Sequence, residues 1–152
     1  MLRTQLKASL KEAMKSKDKR KTSTLRLISA TLHDRDIAAR EGGSDEGISE
    51  TELLQMLTTM VRQRKDSIAA YKDGGRDDLA KAEQEEIEII SEFLPKQFDE
   101  AEMQDAIQKT IDEIGAEGLK DMGKTMGALK EKYTGRMDFA KASGLVKAAL
   151  NA

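Results

Sequence analysis

The sequence predicts an all-α protein of two helical subdomains. An N-terminal helical bundle is expected over 1–94, a hinge over 95–98 and a three-helix unit over 99–152. Three observations carry that expectation. Apolar residues recur at three- and four-residue spacing along most of the chain. The composition is rich in Ala, Glu, Lys, Leu and Met, with aromatics at only 3%, which favours helix over strand. The single proline, Pro95, follows a long helical pattern and marks the strongest internal boundary.

Each element has its own signal. Leu2, Leu6, Leu10, Ala13 and Met14 stack on one face of a first helix, beside a stripe of Arg3, Lys7, Lys11 and Lys15. A polar turn is expected at 16–21. A second helix then runs to about Arg40, with Leu25, Ile28, Leu32 and Ala39 inward. Residues 41–47 hold three glycines and no large apolar side chain, which reads as a flexible loop. Ser49 and Glu52 have capping-box spacing. The helix they open carries Leu53, Leu54, Leu57, Met60, Val61, Ile68 and Tyr71, and Gly74-Gly75 ends it. A fourth helix has Leu79, Ile87, Ile90, Phe93 and Leu94 inward, its glutamates mostly outward, and Pro95 as its stop. Asp99 and Glu102 form a second capping-box pattern, ahead of Met103, Ala106, Ile107, Ile111 and Ile114, with Gly115 as terminator. A helix from about Asp121 presents Met122, Met126 and Leu129. After a turn at 133–135, Asp138 caps the last helix, whose inner face is Phe139, Ala142, Val146, Ala149 and Leu150.

Composition excludes many functions. The 152 residues contain no cysteine, so disulfide scaffolds, thiol catalysis and thiolate metal sites are absent. One histidine, His33, argues against histidine-based catalysis or metal binding. The glutamates of 83–92 flank an apolar stripe without a histidine and read as a solvated face, so neither metal nor cofactor is expected. No nucleophile–base constellation marks a catalytic residue. No apolar run reaches the length of a membrane span, so no membrane partner is expected. The start lacks a secretory apolar core and reads as part of the first helix, so a cytoplasmic protein is expected.

The net charge of −2 hides a segregation. Residues 1–40 carry eleven Lys+Arg against four Asp+Glu, a net +7; residues 41–118 carry eight against twenty-one, a net −13; residues 119–152 carry seven against three, a net +4. Either oppositely charged helices compensate one another, or a basic patch faces a ligand. Basic sets occur at Lys15, Lys17, Lys19, Arg20 and Lys21, at Arg62, Arg64 and Lys65, and at Lys120, Lys124, Lys130, Lys132, Arg136, Lys141 and Lys147. Scarce aromatics disfavour base stacking and leave recognition of RNA by backbone and shape. Gly123 and Gly127 have GxxxG spacing in a helix, where each costs about 1 kcal/mol against alanine. Close helix packing or close approach of a nucleic-acid backbone would account for them.

Several runs resemble the GatB/YqeY family. They are Arg64-Lys65-Asp66-Ser67-Ile68, Tyr71, Gly74-Gly75-Arg76, Asp78-Leu79-Ala80, Glu86-Ile87 and Leu94-Pro95-Lys96-Gln97. They continue with Asp121-Met122-Gly123-Lys124-Thr125-Met126-Gly127, Gly135-Arg136-Met137-Asp138 and Leu145-Val146-Lys147. The match spans essentially the whole chain and resembles a free-standing YqeY-type protein. It departs at Phe98 and Met103, where leucine is more usual. The resemblance implies two helical subdomains, the second similar to the tRNA-gripping tail of the B subunit of the tRNA-dependent amidotransferase. That enzyme is a carbon–nitrogen ligase with glutamine as amide donor. It further implies tRNA as partner, with amidotransferase or aminoacyl-tRNA synthetase components as further partners. Gly123, Lys124, Gly127 and Lys147 are the contact positions it implies; Lys120 and Arg136 join them as neighbouring cations. The resemblance does not bring the catalytic core, so the chain is not expected to catalyse amidation alone. A protein-interaction module using the acidic surface of 77–105 is the alternative.

Overall fold

The computed structural model describes residues 1–151. Among them are seven α-helices and no strand: α1 (Leu2–Lys15), α2 (Lys19–Glu41), α3 (Glu50–Asp73), α4 (Asp77–Ser91), α5 (Glu100–Ile114), α6 (Met122–Tyr133) and α7 (Phe139–Leu150). A 3-10 turn, Leu119–Asp121, leads into α6. The chain forms two compact units, Met1–Pro95 and the residues from Lys96 onward.

In the first unit α1 packs on α2, and α3 and α4 form a hairpin closed at Gly74-Gly75 that α2 also contacts. Its core holds Leu2, Leu6, Leu25, Ile28, Leu53, Met56, Leu57, Met60 and Ile90. Most of the expected stripes are buried, with instructive exceptions. Met14 is 51% exposed, because α1 gives way to a turn in which Lys17 takes φ 58°. That turn is short: Asp18 already caps α2, accepting from the Lys21 amide at 3.1 Å. Helix α4 ends at Ser91, before Pro95, because Glu92, Phe93 and Leu94 tighten into three-residue turns. Ser49 accepts from the Glu52 amide, while Glu50 accepts from the Leu2 N–H at 3.0 Å and ties α1 to α3.

The loop after α2 is anchored by a buried carboxylate. Arg3 donates twice to Asp36, at 2.6 and 2.8 Å, and once to the Ile48 carbonyl at 2.7 Å; the Ile48 amide donates to Asp36 at 2.9 Å. Gly47 sits against that carboxylate with φ +86°, and a Cβ there would lie 2.4 Å from Asp36 Oδ1. Both the backbone angle and the space require glycine.

Part of the charge segregation is compensation. Arg20 pairs with Glu85 at 3.3 Å, Lys21 with Glu92 at 3.2 Å, and Arg64 with Glu86 at 2.9 Å. Arg64 is buried and also donates to the Met60 carbonyl, so it is a core residue and not part of a free basic set. The glutamates of α4 are accordingly less solvated than expected. Burial, and then the charge of Glu86, raise Glu83 above its ordinary value.

In the second unit α5, α6 and α7 pack pairwise around Met103, Ile107, Leu129, Met137, Ala142 and Val146. The Asp99–Glu102 capping box forms in both directions. Ala149 is exposed, because α7 turns Ala142, Val146 and Leu150 inward at four-residue spacing. Residues 96–98 are tied to the corner after α6. Phe98 N–H donates to the Arg136 carbonyl at 2.8 Å, Gln97 donates to the Gly135 carbonyl, and Arg136 Nε donates to the Lys96 carbonyl at 3.2 Å.

The Arg3 bonds, opposed by burial, lower the Asp36 carboxyl from 3.8 to about 2. A lowered folded-state pKa gives stability that is present above the unfolded value and lost as pH falls through the folded one. Asp36→Asn should cost about 1–3 kcal/mol at pH 7, measured by urea unfolding. The gap to the parent protein should shrink between pH 4 and pH 2, as the parent loses the same charge; a gap constant across that window contradicts the assignment.

Candidate nucleic-acid interface

The expected site residues fall on the 3-10 turn, on α6, in the corner after α6 and on α7 of the second unit. Lys120 lies in the 3-10 turn, and Gly123, Lys124 and Gly127 follow in α6. Spacing of three, four and seven residues places these four on one helix face. All four are exposed, while α6 buries Thr125 and Leu129 on its other side. Thr125 donates to the Asp121 carbonyl at 2.9 Å, which satisfies the hydroxyl locally.

The two glycines are not packing glycines. A Cβ built at Gly123 or Gly127 meets nothing within 4 Å. Close helix packing is therefore excluded within the described residues, and the helix backbone is left bare. Gly144 on α7 shares this property and was not singled out from sequence. Its signal was there: Lys141 and Lys147 lie three residues to either side. Lys120 stands three residues before Gly123 and Lys130 three after Gly127. Each open helix glycine thus has a lysine on its own face.

Part of the basic charge is already spent. Lys120 reaches Glu117 at 3.4 Å, Lys141 reaches Glu100 at 3.9 Å, and Lys132 bonds Glu113. The last bond holds Glu113 below and Lys132 above their ordinary values. Lys124, Lys130 and Lys147 have no carboxylate partner among the described residues. Arg136 has a structural task. Its guanidinium lies 4.1 Å over the Phe98 ring, which meets Tyr133 edge-on at 5.3 Å. The phenylalanine that departs from the usual leucine thereby gives the arginine a cation–π seat. Lys147 lies on α7, on the face that bears Gly144.

No group of His, Asp or Glu able to hold a metal occurs among the described residues. No described helix is long and apolar enough to cross a membrane. The acidic stretch of 77–105 divides between the two units, and Glu85, Glu86 and Glu92 in it are engaged by Arg20, Arg64 and Lys21.

Comparison with known proteins places this arrangement. The family described as Yqey-like protein matches residues 3–150. The chain belongs to the YqeY family. Among curated relatives, one from Clavispora lusitaniae is 35% identical over 131 residues, covering 84% of this chain and 71% of that relative. One from Candida glabrata is 38% identical over 89 residues, covering 59% of this chain and 47% of that relative. One from Kluyveromyces lactis is 27% identical over 145 residues, covering 95% and 73%. All three are called altered inheritance of mitochondria protein 41, mitochondrial. The chain spans about half the length of the Candida glabrata relative. These names overturn the expectation of a cytoplasmic protein. That expectation rested on the lack of an apolar secretory core and on assigning the basic amphipathic start to the first helix, whereas mitochondrial import uses basic amphipathic segments.

Because Gly123 and Gly127 are helical, exposed and uncrowded, alanine fits both without strain. Gly123→Ala with Gly127→Ala should stabilise the second unit by about 1–2 kcal/mol, visible as a raised thermal midpoint. A lowered midpoint would mean that the glycines are packed after all.

Proposed function

We propose that this YqeY-family chain is an RNA-binding accessory protein that grips the tRNA body through the exposed face of α6, by backbone and shape and without catalysing a reaction on it. The observation that carries this reading is the bare backbone at Gly123 and Gly127 beside the unpaired Lys124. A helix that forgoes side chains where nothing packs gains a surface that a phosphate chain can approach closely, with lysines to neutralise it. Lys130 lies on the same face and Lys147 beside the bare Gly144. The resemblance of the second unit to the tRNA-gripping tail of the amidotransferase B subunit supports the same reading. It suggests amidotransferase or synthetase components as further partners.

The alternative, a protein-binding acidic surface over 77–105, has less support, since three of its carboxylates already serve as internal counter-ions.

Fluorescence anisotropy with labelled tRNA tests the proposal. Affinity should fall on the order of tenfold or more between about 50 and 200 mM salt. Gly127→Leu, which suits a helix but blocks the approach, and Lys124→Glu should both weaken binding in chains that melt normally. Absence of binding at low salt would remove the reading.

A further inference from the structure

The first unit has a second basic feature that the α6 face does not use. A groove of about 520 Å3 opens where α1 turns into α2, lined by Met14, Lys17, Lys19, Thr22, Ser23 and Arg26. Its volume falls within the range of small-ligand pockets. Three of the six lining residues are cations, two carry hydroxyls, and none is acidic.

The surrounding ion pairs leave these cations unmatched. Arg3, Arg20 and Lys21 of the same basic block are matched by Asp36, Glu85 and Glu92. Lys17, Lys19 and Arg26 have no such partner among the described residues. Asp18, the carboxylate within the turn, accepts from the Lys21 amide in its role as helix cap. The Thr22 and Ser23 hydroxyls likewise have no protein acceptor among the described residues, unlike Thr24 and Thr31, which donate to the carbonyls of Arg20 and Leu27. The groove is therefore lined by several unspent donors of the kinds a tetrahedral phosphate takes up. Met14, half exposed, adds an apolar wall of the kind a ribose or base face would contact.

We propose that this groove seats phosphates of an RNA strand, as a second contact on a different unit from the α6 face. The mixed set of cations and hydroxyl donors suits the several acceptor oxygens of a phosphate, and the open groove suits a continuous backbone. This inference rests on the RNA reading above for the identity of its ligand, but not for its residues.

The test uses the full chain with labelled methionine methyls and backbone amides, titrated with tRNA and, separately, with a mononucleotide. Binding by tRNA should shift the Met14 methyl and the Thr22 and Ser23 amides. The triple variant Lys17→Gln, Lys19→Gln, Arg26→Gln should keep its helicity and lower the slope of log affinity against log salt by about two. Shifts confined to α6, with an unchanged slope in the triple variant, overturn the groove and leave the α6 reading standing. Shifts at the groove with an indifferent Gly127→Leu variant remove the α6 reading and keep the groove. A mononucleotide that moves the groove signals as strongly as tRNA overturns the RNA strand as occupant. No response to tRNA anywhere overturns both, as does stronger displacement by polyglutamate than by unlabelled tRNA for the groove.

Discussion

The first unit depends on how one buried carboxylate is compensated. Asp36 lies in α2 with its side chain nearly sealed from water. An uncompensated charge there would cost several kcal/mol. Arg3 from α1 supplies a two-pronged counter-ion, and the Ile48 amide supplies a further donor. The same arginine donates to the Ile48 carbonyl, so one ionic node fixes the start of α1, the far half of α2 and the approach to α3. Gly47 is the backbone consequence, since the chain can pass the carboxylate only without a Cβ. A loop with three glycines thus holds a defined course.

Charge compensation at a larger scale decides which cations remain available. Carboxylates of α4, with Glu92 just after it, pair with the start of α2 and with the buried Arg64, and α5 pairs with Lys132 of α6 and Lys141 of α7. The exposed pairs among them contribute little to stability individually. Their larger effect is on the surface field, because they subtract from what an anion would meet. Among the cations left without a carboxylate are those at the α1–α2 turn, on the α6 face and beside Gly144. Each unit by itself carries a net −1, so what an anionic partner meets is set by where the unpaired cations lie and not by the total charge.

The helix glycines supply the second half of the argument for RNA. Glycine in a helix costs stability, and packing usually repays it. At Gly123, Gly127 and Gly144 no neighbour approaches, so the cost stands without an internal return. The external ligand proposed above would account for that cost. Arg136, by contrast, leaves the list of free cations once Phe98 and the Lys96 carbonyl are seen to hold it.

Much of the fold was legible in the sequence because helix periodicity, capping and glycine termination are local. The seven helices, the Asp99 capping box, the end at Gly115 and the cap at Asp138 follow from residues within one or two turns of each other. Membership of the YqeY family was legible for a different reason, since ordered motifs at fixed spacing are themselves a property of sequence. Tertiary structure decided the rest. It took Met14 and Ala149 out of the core, because a helix face is buried only where another helix covers it. It put Arg64 into the core and Glu86 beside it, which no single-helix pattern shows. It joined Arg3 to Asp36 across 33 residues, and it left Gly123 and Gly127 bare. Spacing along one helix states which residues share a face; only the packing of the other helices states what that face meets.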